Sequence, residues 1–81
     1  MRMLDTRTDK PVEGLQLYLT PDEARELRAS LNRLLGDPEA LEHEHLFSLD
    51  GGFELSFSIV TPEKLRTANY TPAERRVFGQ Q

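Results

Sequence analysis

The segment that most constrains the fold is Thr20-Pro21-Asp22-Glu23, because it contains three separate signals for the start of a helix. Threonine is a favoured N-cap residue, proline is favoured at the first helical position, and a glutamate three residues after the cap completes a capping box. Apolar residues then recur at helical spacing as far as Leu35. Gly36 offers a left-handed C-terminal cap, and Pro38 cannot continue a helix. The sequence therefore predicts an amphipathic helix over residues 21–35.

Alternating apolar residues predict β-strands on both sides of this helix. Residues 14–19 alternate strictly, so three leucines share one face. Residues 41–60 predict a hairpin, since both of its arms alternate around a glycine pair. Residues 2–5 form a short extended piece, which either pairs with the strand at 15–19 or adds to a sheet edge.

Two registers are possible for this hairpin. A two-residue loop at Asp50-Gly51 places Phe47 opposite Glu54. A three-residue loop, Asp50-Gly51-Gly52, instead pairs Phe47 with Leu55 and collects the aromatic side chains on one face. We predict the three-residue loop, because it buries the aromatic side chains together.

The fold class that follows is α+β, with the order β-β-α-β-β. One amphipathic helix packs on a three- to four-stranded antiparallel sheet, and Thr61-Pro62 and Thr71-Pro72 open short C-terminal helical turns. The chain is long enough for a single domain, predicted over residues 1–79, with residues 80–81 frayed. The predicted core consists of Leu15, Leu17, Leu19, Leu27, Leu31, Leu34, Phe47, Phe53, Leu55, Phe57 and Ile59.

Composition excludes several classes of site. The chain has no cysteine, which rules out disulfides, thiolate metal sites and cysteine nucleophiles. Its apolar runs are far shorter than a membrane span, and its first residues lack the apolar stretch of a signal peptide. We therefore expect a cytoplasmic protein that does not enter the membrane.

Charge is distributed unevenly along the chain. Between Arg33 and Lys64 there is no lysine or arginine, but there are seven aspartates and glutamates. This stretch repels phosphate and attracts basic proteins, so nucleic-acid binding is not expected. The candidate interaction residues are the glutamates predicted on one sheet face and the arginines of the last helix: Glu42, Glu44, Glu54, Arg75 and Arg76.

His43-Glu44-His45 is the only cluster with metal-ligand chemistry. On a strand both imidazoles lie on the same face, about 7 Å apart at their Cα atoms. The predicted register gives them Phe57 and Ile59 as cross-strand neighbours, and neither can ligate a metal. His43 and His45 are therefore weak metal candidates, and we predict no metal and no cofactor.

No catalytic residue is predicted either. The serines of the hairpin alternate on its polar face, outside any nucleophile turn and with no evident base within reach. The glycine pair lacks the lysine and following helix of a phosphate-binding loop.

Several of these features together resemble a class of small stand-alone bacterial proteins that are uncharacterised. The resemblance covers about residues 1–65 and implies no activity or functional residue. The matching features are Leu19-Thr20-Pro21-Asp22-Glu23-Ala24-Arg25-Glu26-Leu27, Asp37-Pro38-Glu39-Ala40, His43, His45 and Thr61-Pro62.

Three functions are compatible with the sequence. The leading hypothesis is a non-enzymatic protein-interaction module that forms a homodimer. The first alternative is an acidic regulatory partner of a basic protein, of the immunity-protein or antitoxin type. The second alternative is a metal-binding protein or enzyme that uses His43 and His45.

Overall fold

The computed structural model describes residues 1–40, 43–48 and 51–79. The chain is α+β and divides into two compact units, one formed by Met1–Leu17 with Asn69–Gln81 and the other by Tyr18–Ala68. No helix in the described part is long and apolar enough to cross a membrane. In chain order the elements are β1 (Leu4–Asp5), β2 (Lys10–Pro11), α1 (Pro21–Gly36), β3 (Glu44–Phe47), β4 (Glu54–Phe57), α2 (Pro62–Thr67) and α3 (Pro72–Val77).

All three helices begin at a threonine–proline step, as the sequence predicts. In α1 the Thr20 hydroxyl accepts from the Glu23 amide at 3.1 Å, and the Glu23 carboxylate accepts from the Thr20 amide at 2.9 Å. The same reciprocal pair opens α3, between Thr71 and Glu74. In α2 the Thr61 hydroxyl also caps the first turn. These caps satisfy backbone N–H groups that have no partner within the helix.

The end of α1 differs from the prediction. Gly36 belongs to the helix, and it is not among the residues with positive φ. Asp37 is the C-cap, and its amide donates to the Leu34 carbonyl at 3.3 Å. The predicted left-handed cap at Gly36 is therefore wrong, because a non-helical Asp37 and the following Pro38 already end the helix. Gly79 does adopt φ 83° after α3.

The hairpin has the register of the two-residue loop, which is the alternative that we did not predict. β3 and β4 are antiparallel, with Leu46 opposite Leu55 and Phe47 opposite Glu54. This register points Leu46 toward α1, which packs against β3, and leaves the Leu46 side chain only 7 % exposed. The predicted three-residue-loop register is wrong by one residue, because burying Leu46 outweighs collecting the aromatic side chains. Asp50 of the predicted loop and Leu49, which precedes this loop, lie outside the described residues.

The one-residue shift turns the opposite face of β3 toward α1, so that Leu46 is buried there in place of Phe47. Phe47 and Phe53 were expected in the core but are 60 % and 76 % exposed. Leu34 of α1 is fully buried, and so is Ser30, which the sequence analysis did not place in the core. Of the other predicted core residues, Leu27, Leu55, Phe57 and Ile59 are half-buried, and Leu15, Leu17, Leu19 and Leu31 are exposed.

The predicted strand over residues 15–19 is absent, although its leucines alternate. β1 pairs instead with β2, six residues further along the chain. The Asp5 carboxylate accepts from the Arg7 and Thr8 amides at 2.8 and 3.3 Å, and Asp9 adopts φ 58° to complete the turn. These amide hydrogen bonds lower the pKa of Asp5. The described residues therefore form two two-stranded sheets in place of one larger sheet.

In the unit that contains both chain termini, α3 packs against β2 and buries Ala73. The Tyr70 and Phe78 rings meet edge to face, with 5.0 Å between their centroids. The Arg75 guanidinium lies 6.0 Å from the centre of the Tyr70 ring. Burial raises the pKa of Tyr70, because the phenolate loses solvation there.

Candidate functional site

One side of α1 carries apolar side chains that no neighbouring element covers within the described part of the chain. They line a shallow depression of about 380 Å³. Leu31 is 42 % exposed and Leu35 is 67 % exposed, values that are high for leucine in a packed helix. We call this surface the open stripe, and it consists of Leu19, Ala24, Leu27, Arg28, Leu31, Asn32 and Leu35.

The open stripe arises because the apolar arc of α1 is wider than the hairpin can cover. Each helical residue turns the side chain by about 100°, so Leu31 and Leu35 lie about 60° and 100° around the axis from Leu34. Leu34 faces β3 and is fully buried. The other two leucines therefore point past the edge of the hairpin into solvent.

The acidic side chains of α1 already have partners. Asp22 pairs with Arg25, Glu23 closes the capping box, and Glu26 lies 3.9 Å from Arg33. Arg28 is different, since it forms no ion pair within residues 1–40, 43–48 and 51–79. The open stripe therefore presents one uncompensated positive charge among its leucines.

On its sheet side, α1 is tied to β3 by Arg33. The Arg33 Nε donates to Glu44 Oε1 at 2.5 Å, and a second guanidinium nitrogen donates to the buried Ser30 hydroxyl at 2.8 Å. The bond to Glu44 raises the pKa of Arg33. Glu44 therefore has a structural partner within its own unit.

The face of the hairpin that points away from α1 carries a row of three rings along β3. His43 and His45 meet edge to face with 4.6 Å between ring centroids, and His45 stacks on Phe47 at 5.8 Å. Side chains two residues apart on a strand share a face, which explains the row. It is exposed, with the His45 side chain at 38 % of its full accessibility.

Two polar residues of β4, Glu54 and Ser56, lie beside this row of rings. His45 Nδ1 lies 2.6 Å from Glu54 Oε1, and the Ser56 hydroxyl lies 3.0 Å from both groups. The bonds from His45 and then Ser56 lower the pKa of Glu54. An ionised carboxylate only accepts hydrogen bonds, so the Nδ1 of His45 is the donor to Glu54, and in a neutral imidazole with this tautomer the Nε2 lone pair is free.

This cluster does not have the order of a serine–histidine–carboxylate relay. In such a relay the serine and the carboxylate contact opposite ring nitrogens, so that one nitrogen is free to take the serine proton. Here Ser56 and Glu54 both contact Nδ1, and Ser56 donates to the carboxylate. The sequence analysis found no base near the hairpin serines because its register placed His45 opposite Phe57.

The two described glutamates among the predicted interaction residues lie on different faces of the hairpin. Glu44 and Glu54 were expected on the same sheet face but lie on opposite faces, since Glu44 is opposite Phe57 and Glu54 is opposite Phe47. Glu42 lies outside the described residues. In the unit formed by both chain ends, Arg75 lies near Tyr70 and Arg76 is exposed on α3.

The metal candidates are close together but lack a third protein ligand. Across the described ranges, no three histidine, aspartate or glutamate side chains are arranged to hold a metal ion together. His43 and His45 are adjacent in space, and the prediction that they are weak candidates stays a prediction.

Arg28 lines the open stripe but was not among the predicted interaction residues. Its helical position among Ala24, Leu31 and Leu35 is readable from the sequence, because residues three and four apart share a helix face. Comparison with known proteins adds no guide to function: no family model, curated protein or solved structure gives a significant match to the chain.

Proposed function

We propose that this chain is a non-enzymatic protein-interaction module whose binding surface is the open stripe of α1. The observation that carries the proposal is the exposure of Leu31 and Leu35 beside the fully buried Leu34. An apolar helix face in solvent costs free energy, which a partner recovers by covering it. The shape of the surface suits a second amphipathic helix, which would insert apolar side chains between those of α1.

Charge complementarity defines the chemistry of this partner. Arg28 lies among the leucines and has no counter-ion within the described chain, whereas the acidic residues of α1 are already paired. Covering Arg28 with apolar atoms alone would leave a desolvated charge without a partner. We therefore infer that the occupant is an amphipathic helix with a carboxylate beside its apolar face.

A second copy of this chain fits the open stripe less well. Arg28 lies near the middle of the stripe, between Ala24 and Leu31, so a two-fold axis through the surface brings the two Arg28 side chains together. Like charges in contact oppose such pairing. The homodimer stays a prediction, and Arg28 counts against the open stripe as its interface.

The test uses two synthetic helical peptides that share a stripe of leucines and differ at one flanking position, glutamate or lysine. We expect the chain to bind the glutamate peptide about tenfold more tightly than the lysine peptide. Arg28→Glu should reverse this preference, because the charges then attract the lysine peptide. Isothermal titration calorimetry measures all four affinities.

Leu31→Asp should abolish peptide binding without unfolding the chain, since Leu31 is exposed. Ala29→Asp is the matched control, because Ala29 is exposed on the same helix but lies outside the open stripe, and it should leave binding unchanged. Equal binding of both peptides would refute the charge argument. Binding of neither, or a stable dimer in sedimentation equilibrium that Leu31→Asp dissociates, would refute the heterologous partner.

A further inference from the structure

The two histidines of the chain lie side by side on the face of β3 opposite to α1. The metal–nitrogen distance to imidazole is about 2.0–2.1 Å, so two rings bound to one metal at a right angle have centroids about 4.5 Å apart. The His43 and His45 centroids are separated by 4.6 Å. Their spacing therefore already suits two adjacent positions around one metal ion.

The hydrogen bond from His45 to Glu54 prepares the ring for this role. Because Nδ1 donates to the Glu54 carboxylate at 2.6 Å, the Nε2 lone pair is available to a metal. Histidines that bind metals commonly donate their other ring nitrogen to a carboxylate, which fixes the tautomer and the ring orientation. Ser56 holds Glu54 in turn, with its hydroxyl 3.0 Å from Glu54 Oε1.

The observed register also gives the histidines different cross-strand neighbours from those that the sequence predicts. Apolar neighbours, Phe57 and Ile59, were expected across from the histidines. The structure places Ser56 opposite His45 and brings Glu54 into contact with it. Two polar groups therefore lie beside His45, and both histidines are exposed, so water can complete a coordination sphere.

We propose that His43 and His45 form a bidentate imidazole site for a divalent transition-metal ion, with Glu54 as the positioning residue of His45. Cu²⁺ should bind most tightly, followed by Ni²⁺ and Zn²⁺, because imidazole favours these ions and two ligands at a right angle suit tetragonal coordination. Water occupies the remaining positions, since the described residues supply no third ligand. This site is independent of the open stripe.

The experiment titrates the untagged full chain with Cu²⁺ and, in a separate series, with Zn²⁺, each in a non-coordinating buffer. With Cu²⁺ we expect one bound equivalent, with an electron paramagnetic resonance spectrum that shows coupling to two imidazole nitrogens. His43→Ala and His45→Ala should each weaken binding at least tenfold and reduce the coupling to one nitrogen. The chain has no other histidine and no cysteine, so the double variant reports any binding by the terminal amine.

Glu54→Gln should weaken binding about tenfold while both nitrogens stay coordinated, which separates positioning from ligation. Asp22→Asn is the matched control, since it removes an exposed carboxylate far along the chain on α1, and it should have no effect. Unchanged Cu²⁺ affinity in the double histidine variant, coupling to a single nitrogen in the natural chain, or tighter binding of Zn²⁺ than of Cu²⁺ would overturn the proposal.

Discussion

Leu34 and Leu35 are adjacent leucines of one helix with opposite environments. Leu34 is fully buried against the hairpin, and Leu35 is 67 % exposed on the open stripe. Their residue type and helix propensity are identical, so the difference comes from their positions around the helix axis and from the elements beside each position. The apolar pattern of α1 therefore contains two surfaces, one that holds the fold together and one that we assign to a partner.

The largest expected effect on the free energy of unfolding distinguishes the buried surface of α1 from the open stripe. Leu34→Ala should lower the free energy of unfolding by about 2–5 kcal/mol, because it opens a cavity between α1 and β3. Leu35→Ala should change it by less than about 0.5 kcal/mol, as expected at an exposed position. Urea unfolding followed by circular dichroism measures both. Equal losses in the two variants would show that both sides of α1 are buried in solution.

The N-cap should affect both sides of α1, because it fixes where the helix begins. Thr20→Ala should cost about 1 kcal/mol, since the Glu23 amide loses its hydroxyl partner. Thr20→Ser keeps the hydroxyl and is the control, with a much smaller loss. The same urea experiment measures the two variants. A Thr20→Ala variant as stable as the natural chain would mean that α1 is held by packing alone.

A smaller difference in the free energy of unfolding is expected between variants of two arginines of α1. Arg33 joins the helix to Glu44 of β3, and a double-mutant cycle with Arg33→Ala and Glu44→Ala should give a coupling of about 0.2–1 kcal/mol. Arg28→Ala should leave the free energy of unfolding nearly unchanged, because Arg28 has no ion pair in the described part of the chain. A larger loss for Arg28→Ala would place this residue in the fold and not in an interface.

The smallest expected effect is that of salt, which should distinguish the ionic from the apolar contribution to the packing of α1 against β3. The Arg33–Glu44 coupling should fall by roughly half between low salt and 1 M NaCl, because the guanidinium is half exposed and is screened. The cost of Leu34→Ala should not fall, since burial of apolar surface does not depend on charge. Repeating the urea unfolding at both salt concentrations tests this. A coupling that salt leaves unchanged would show that the ion pair is shielded from solvent.

The helix starts could be predicted from the sequence because each is encoded within four residues. Within residues 20–23 the threonine hydroxyl and the glutamate carboxylate each accept from the other residue's backbone amide, and the proline fixes the backbone angle at the first helical position. The hairpin register could not be predicted in this way. A shift of one residue exchanges the two faces of a strand, and only packing of Leu46 against α1 selects the correct one.

The residues of the candidate sites also differ in whether local spacing or the hairpin register determines their contacts. Arg28 was predictable in principle, since helical spacing alone places it among the leucines of the open stripe. The contact between His45 and Glu54 was not, because it depends on the register. The strand expected over residues 15–19 shows a further limit, since alternation describes a side-chain pattern and does not supply a neighbouring strand with which to pair.

The repeated threonine–proline steps have a consequence for how tolerant this chain is to change. Each step specifies its own starting point, so inserting or deleting residues in a preceding loop should leave the next helix beginning at the same threonine. The six-residue helices α2 and α3 are too short to persist alone and need tertiary packing. We therefore expect that the loop between α2 and α3 can change in length without moving the boundaries of either helix.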